Sequence, residues 1–152
     1  MTIEETPLQG CYILTPTVYE DSRGYFYESF NEKRFRELTD FKGQFVQDNQ
    51  SYSTKGVLRG LHYQKGEFAQ AKLVRVISGR VLDVALDLRK DSNSFGKHFS
   101  IELTSENKKQ LFIPRGFGHG FSVLSETAEL FYKCDNFYNK DSEGGIFYND
   151  SG

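Results

Sequence analysis

Tryptophan is absent from the sequence, and cysteine, histidine and proline are scarce, with two, three and three residues among 152. Cys11 and Cys134 stand alone, with no C-x-x-C and no histidine nearby, so neither a disulfide framework nor a thiolate zinc site is expected; both read as reduced, buried thiols. A metal would need three or four converging His, Cys, Asp or Glu side chains. The histidines are only His62, His98 and His119, and the position two residues after His62 is Gln64 rather than a second ligand, so no metal is expected. No apolar run approaches the ~20 residues of a membrane helix. The start, Met1-Thr2-Ile3-Glu4-Glu5, has neither the positive end nor the apolar middle of a signal peptide, so a cytoplasmic protein without membrane association is expected. The formal charge of −2 excludes a generally basic surface, and with it nucleic-acid binding by phosphate neutralisation. No G-x-G-x-x-G or G-x-x-x-x-G-K lies between a strand and a helix, which disfavours a nicotinamide or P-loop nucleotide site.

Phenylalanine (14), tyrosine (9) and glycine (14) are plentiful instead, a β-rich composition on a chain of one-domain size. Strand-like runs fall at 12–15, 25–30, 44–47, 57–64, 71–77, 80–88, 97–103, 110–113, 120–124 and 128–138. Ser78-Gly79 and Ser105-Glu106-Asn107 supply turn chemistry between them. One short helix is predicted over 31–38, capped by Asn31, with Phe35 and Leu38 facing inward. Many short strands with almost no helix predict an all-β sandwich or jelly-roll barrel with one or two short helices.

Three segments carry polar residues where a strand should be apolar. In 80–88 the period of two puts Leu82, Val84, Leu86 and Leu88 on one face and Val81, Asp83, Ala85 and Asp87 on the other. The carboxylate face is either solvated or lines a pocket, and Asp83 is the candidate pocket carboxylate. In GVLRGLHYQ (56–64) strict alternation sends Arg59 and His62 to opposite faces; a bulge at Gly60 would bring both to one. In IPRGFGHGF (113–121) the three glycines read as a turn permitting close backbone approach, which does not account for His119. What remains is acid–base chemistry by His, Tyr and Lys, supported by arginines suited to phosphate.

These segments, with AQAKLVRV (69–76), DVALDLR (83–89), Tyr132-Lys133-Cys134, Tyr138 and EGGIFYND (143–150), resemble the dTDP-4-dehydrorhamnose 3,5-epimerase family from about Gly10 onward. The resemblance implies a cupin-type jelly-roll, a homodimer, no cofactor and a dTDP-4-keto-6-deoxy sugar substrate whose C3 and C5 are inverted, a step in dTDP-L-rhamnose and cell-surface polysaccharide biosynthesis. By the same resemblance His62 is the general base, Tyr132 the general acid, and Lys72 the residue beside the sugar carbonyl. Arg23, Glu28, Gln47, Asp48, Asn49, Arg59, His119 and Glu143 resemble substrate-contacting positions, with Phe26 close by, and Tyr138 resembles the aromatic that stacks on the base. The chemistry suits these types: hydrogens on C3 and C5 flank a carbonyl, so a histidine of ordinary pKa near ~6.5 can remove one while a tyrosine near ~10 keeps a proton to return.

The family continues into a tail whose aspartate pairs with the catalytic histidine. The sequence ends at Gly152, so it reads as one cupin-like epimerase domain over 1–152 without that tail, with Asp83 the candidate to stand in. Alternatives are a monofunctional 3- or 5-epimerase, a 3,4-ketoisomerase, or a catalytically impaired nucleotide-sugar binding module. For the dimer, the segment 12–15 is the candidate for an exchanged edge strand.

Overall fold

The computed structural model describes residues 1–146. Its elements are β1 (Thr2–Glu5), β2 (Tyr12–Thr15), β3 (Tyr19–Asp21), β4 (Gly24–Phe26), α1 (Glu32–Thr39), β5 (Gln47–Thr54) and β6 (Leu58–Gln64). They continue with β7 (Lys72–Ser78), β8 (Arg80–Asp87), β9 (His98–Thr104), β10 (Gln110–Ile113), β11 (Phe117–Val123), β12 (Thr127–Cys134) and β13 (Glu143–Gly145). A six-stranded sheet, β1-β2-β10-β7-β12-β5, faces a five-stranded one, β13-β6-β11-β8-β9, while β3 and β4 form a separate ribbon. All pairings are antiparallel, and this is the jelly-roll arrangement that the strand-rich sequence predicts.

The two inner faces meet because each strand turns alternate residues inward. Val74, Val76, Leu111 and Leu130 from the larger sheet meet Val81, Ala85, Leu103, Phe117 and Val123 from the smaller, and this cluster fills the core between the sheets. Full burial of each such side chain contributes about 1.5–3 kcal/mol. A second cluster seats the helix. Asn31 caps α1 by accepting from the Arg34 amide at 3.0 Å, and Phe35 is buried among Phe30, Phe41, Phe45 and Phe112.

The structure departs from the sequence-based expectations where hydrophobic alternation is weak. The 44–47 run is strand only at Gln47, where β5 begins and runs on to Thr54; β5 shows no apolar period because its inward residues Gln47, Asn49, Ser51 and Ser53 are all polar. The 25–30 run shrinks to β4 in the ribbon, and the 128–138 run stops at Cys134, leaving Tyr138 in a loop. In the glycine-rich stretch Gly116 does lie in a turn, with φ +90°, but 117–120 is strand and buried throughout. The 12–15 segment is not an edge, since β2 is flanked by β1 and β10.

Candidate active site

Between the two sheets the barrel opens into a cavity of about 760 Å³, within the range that holds a small-molecule ligand. One wall is the larger sheet. Tyr132 lies directly opposite Asn49 on β5, and Cys134 lies between Gln47 and Lys72 on its two neighbours, so inward alternation delivers all five to the cavity region. The other wall is β6 and β11, where His62 and His119 are cross-strand partners.

Between His119 and Phe121 the β6–β11 register shifts, with partners His62 and Arg59: three steps on β6 against two on β11. The extra residue is a bulge on β6, and it turns Arg59 and His62 into the same cavity. Glycine is required there. Gly60 has φ +110°, and a Cβ on it would lie 2.6 Å from both the Gly120 Cα and the His119 carbonyl oxygen.

Burial sets the protonation chemistry. Desolvation lowers the pKa of Lys72 and raises that of Tyr132, whose ring centroid lies 5.3 Å from the Lys72 Nζ. The buried Cys134 thiol, adjacent to Lys72, is pushed up to about 11 chiefly by desolvation and stays neutral. His119 is buried, shares a 2.7 Å hydrogen bond with Asp83 Oδ1, and lies edge-on to Tyr132 at 6.3 Å between ring centroids. His62 is more exposed, and its Nδ1 is 3.7 Å from Glu143 Oε1. Glu143 also accepts a 2.7 Å hydrogen bond from the Tyr138 hydroxyl, which raises the Tyr138 pKa. Arg59 donates from Nε to Ser53 Oγ at 2.9 Å and from Nη2 to the Tyr52 carbonyl at 3.3 Å, which fixes its guanidinium plane.

His62, Lys72, Tyr132, Gln47, Asn49, Arg59, His119, Tyr138 and Glu143 therefore share one cavity. Asp83 is inside the barrel, but its partner is His119; the expectation that it pairs with His62 is corrected, because it sits diagonally across β8 and β11 from His119, whose direct partner on β8 is the small Ala85. The carboxylate beside His62 is Glu143. Arg23, Phe26 and Glu28 lie outside this cavity: Arg23 and Phe26 are on the exposed β3–β4 ribbon, and Glu28 follows it, exposed. Asp48 faces outward on β5 and pairs with Lys133 at 3.1 Å. Residues 147–150 of the EGGIFYND motif, and the expectation about a following tail, lie outside the described residues. Ser51, Ser53 and Gln70 escaped notice in the sequence; the period-two polar run of β5 was the available signal for the serines. Among the described residues no three His, Cys, Asp or Glu side chains converge as a metal site would need, and no helix is long and apolar enough to cross a membrane.

Histidine, tyrosine and lysine side chains brought into one cavity from two facing sheets, with an arginine beside them, are the equipment of an acid–base isomerase on a cupin-type jelly-roll fold. The chain belongs to the dTDP-4-dehydrorhamnose 3,5-epimerase family, whose model matches residues 5–152. It is 54% identical over 150 residues to the dTDP-4-dehydrorhamnose 3,5-epimerase of Shigella flexneri, covering 99% of this chain and 83% of that one. The crystal structure of the Elizabethkingia anophelis NUHP1 enzyme of that name superimposes with a TM-score of 0.95 at 64% identity, over 99% of this chain and 82% of the other. A Legionella pneumophila dTDP-6-deoxy-D-glucose-3,5-epimerase in complex with dTDP-4-keto-L-rhamnose gives a TM-score of 0.95 at 50% identity, over 98% and 79%.

Proposed function

We propose that this isomerase inverts C3 and C5 of dTDP-4-keto-6-deoxy-D-glucose to give dTDP-4-keto-L-rhamnose, with His62 and Tyr132 as its acid–base pair. The observation that carries the roles is the supply of a histidine and a tyrosine from opposite walls of one cavity, with Lys72 beside the tyrosine. His62 takes the proton from C3 or C5, and the electron pair left behind is delocalised onto the C4 carbonyl oxygen as an enolate. Tyr132, which burial keeps protonated, returns a proton to the opposite face of that carbon, and the centre is inverted. Before the second inversion His62 gives its proton to solvent and Tyr132 regains one from solvent through the open cavity; the same cycle at the second carbon then completes the reaction, and no hydride moves.

Lys72 donates to the enolate oxygen. Its lowered pKa brings its N–H closer in acidity to the developing oxyanion, which strengthens that hydrogen bond along the reaction. Glu143 stabilises the imidazolium formed on His62. Arg59 takes the diphosphate with the N–H groups that Ser53 and the Tyr52 carbonyl leave free. Tyr138, exposed at the mouth, stacks on the base.

The active form is a homodimer in the cytoplasm. Support for the dimer comes from the ribbon: Arg23, Phe26 and Glu28 resemble substrate-contacting positions, yet they lie outside this chain's own cavity, and Phe26 is 67% exposed. A second copy would set one chain's ribbon against the other's cavity. Mixing Arg23→Ala with His62→Ala chains should then restore activity in the hybrid, and no restoration would remove the ribbon from the site.

The test of the chemistry is proton NMR of the keto sugar nucleotide in D2O with wild-type, His62→Ala and Tyr132→Phe proteins. Deuterium entering at both C3 and C5, and lost in His62→Ala, is the expected result. Exchange at one carbon would indicate a single-centre epimerase, and no exchange despite dTDP binding would leave a binding module.

A further inference from the structure

The loop that carries Tyr138 has almost no apolar anchorage, since Phe137 and Tyr138 are 62% and 56% exposed. Side-chain amides hold it instead. Gln64 donates from Nε2 to the carbonyls of Phe68 at 2.6 Å and Phe137 at 3.2 Å, and its Oε1 accepts from the Asn139 amide at 2.8 Å. Gln47 Oε1 accepts from the Tyr138 amide at 3.0 Å, and Gln70 Nε2 donates to the Asn136 carbonyl at 2.8 Å. The backbone from 136 to 139 is thus fastened at every residue by a glutamine, and Gln64 grips it on both sides of Tyr138.

Gln64 lines the cavity two positions from His62, yet it is only 9% exposed and each of its polar atoms is already engaged by backbone. Only an amide offers donors at one atom and an acceptor at the other. A glutamate there would set an acceptor against two carbonyls, and an apolar side chain would release them.

We infer that Gln64 is a positioning residue that sets nucleotide affinity by presenting Tyr138, without taking part in proton transfer. This rests on the reading of Tyr138 as the base-stacking side chain. Its loss should act on binding rather than turnover.

The test compares wild type with Gln64→Met, similar in length but without the amide, and with Gln64→Glu as a second variant if the first folds poorly. By titration calorimetry Gln64→Met should bind dTDP roughly tenfold more weakly, the size expected from losing buried hydrogen bonds. KM should rise by a similar factor while kcat stays within roughly threefold, since no group acting on the transition state is removed. In a Tyr138→Ala background the same substitution should add no further loss of dTDP affinity. In the ligand-free protein the Asn139 amide should exchange with solvent faster in Gln64→Met than in wild type, whatever the nucleotide. Unchanged dTDP affinity, losses that add fully in the double variant, or a fall in kcat at constant KM would each overturn the inference. If wild type fails to bind dTDP, the nucleotide reading falls by itself, and Asn139 exchange then decides the clamp: faster exchange upholds it, unchanged exchange overturns it.

Discussion

Asp83 and Asp87 lie on the same inward face of β8, and both are fully buried. Their surroundings differ completely. Asp87 accepts from Arg89 Nε at 3.0 Å and Nη2 at 3.0 Å, from Ser92 Oγ at 2.6 Å, from Ser94 Oγ at 2.5 Å and from the Arg89 amide at 2.9 Å. Burial pushes its pKa up, but these hydrogen bonds outweigh burial and hold it well below the usual carboxylate value. Through Arg89 and Ser94 the same knot fastens Gln9, at 2.5 and 3.0 Å, and so ties the N-terminal turn to the loop before β9. Asp83 has one partner, His119, and among the described residues its Oδ2 has none. A buried carboxylate with every lone pair engaged holds the fold together. One left short of partners beside a cavity costs stability and is kept for what its partner does there.

Substitution should separate the two most sharply at Asp87. Asp87→Ala strips Arg89, Ser92 and Ser94 of their acceptor and should lower unfolding free energy by about 3 kcal/mol in urea, with exchange activity per folded molecule kept within about twofold. Asp83→Asn should do the reverse: stability within about 1 kcal/mol of wild type, because the carboxylate replaced has one oxygen without a partner among the described residues. Its kcat should fall about a hundredfold, or about 2.7 kcal/mol, as the acceptor-only carboxylate that fixes the tautomer of His119 gives way to an amide that can also donate. Equal stability losses for the two would erase the distinction. Ser94→Ala, which takes away one of the hydrogen bonds to Asp87 and the acceptor of the Gln9 amide, should cost about 1–2 kcal/mol of stability and leave turnover alone. The smallest effect is in pH dependence. With its folded pKa depressed, Asp87 contributes stability that is complete above its unfolded value of 3.8 and is lost as pH falls towards the folded pKa. Acid-unfolding curves of Asp87→Asn should therefore be flatter below that pH than those of wild type, and parallel curves would show that the knot is not linked to proton uptake.

Much of this was legible in the sequence, for physical reasons that particular residues make plain. The Val81-Asp83-Ala85-Asp87 face could be separated from Leu82-Val84-Leu86 by parity, and apolar neighbours on either side made an inward carboxylate face plausible. Asn31 as a helix cap and Gly60 as a bulge rest on local rules of backbone sterics, and both appear as expected. What parity cannot give is partnership between strands. Whether Asp83 reaches His62 or His119 depends on the β8–β11 register, and the serines of β5 were hidden because a polar cavity wall has the composition of a loop. The ribbon was harder still, since three-residue strands carry too little pattern to define a period.

The extra residue at Gly60 makes β6 a strand of two phases. Upstream of it, outward and inward positions follow one parity; downstream they follow the other, so Arg59 and His62 share a cavity although an odd number of steps separates them. Deleting Gly60 would restore a regular ladder and turn one of the two away from the cavity; under the roles proposed above, the better-formed sheet would grip the diphosphate or deprotonate the sugar, but not both. On those proposed roles the irregularity is the join between two functions on a single strand, and a gain in regularity at that point would be a loss of coordination between holding the substrate and transforming it.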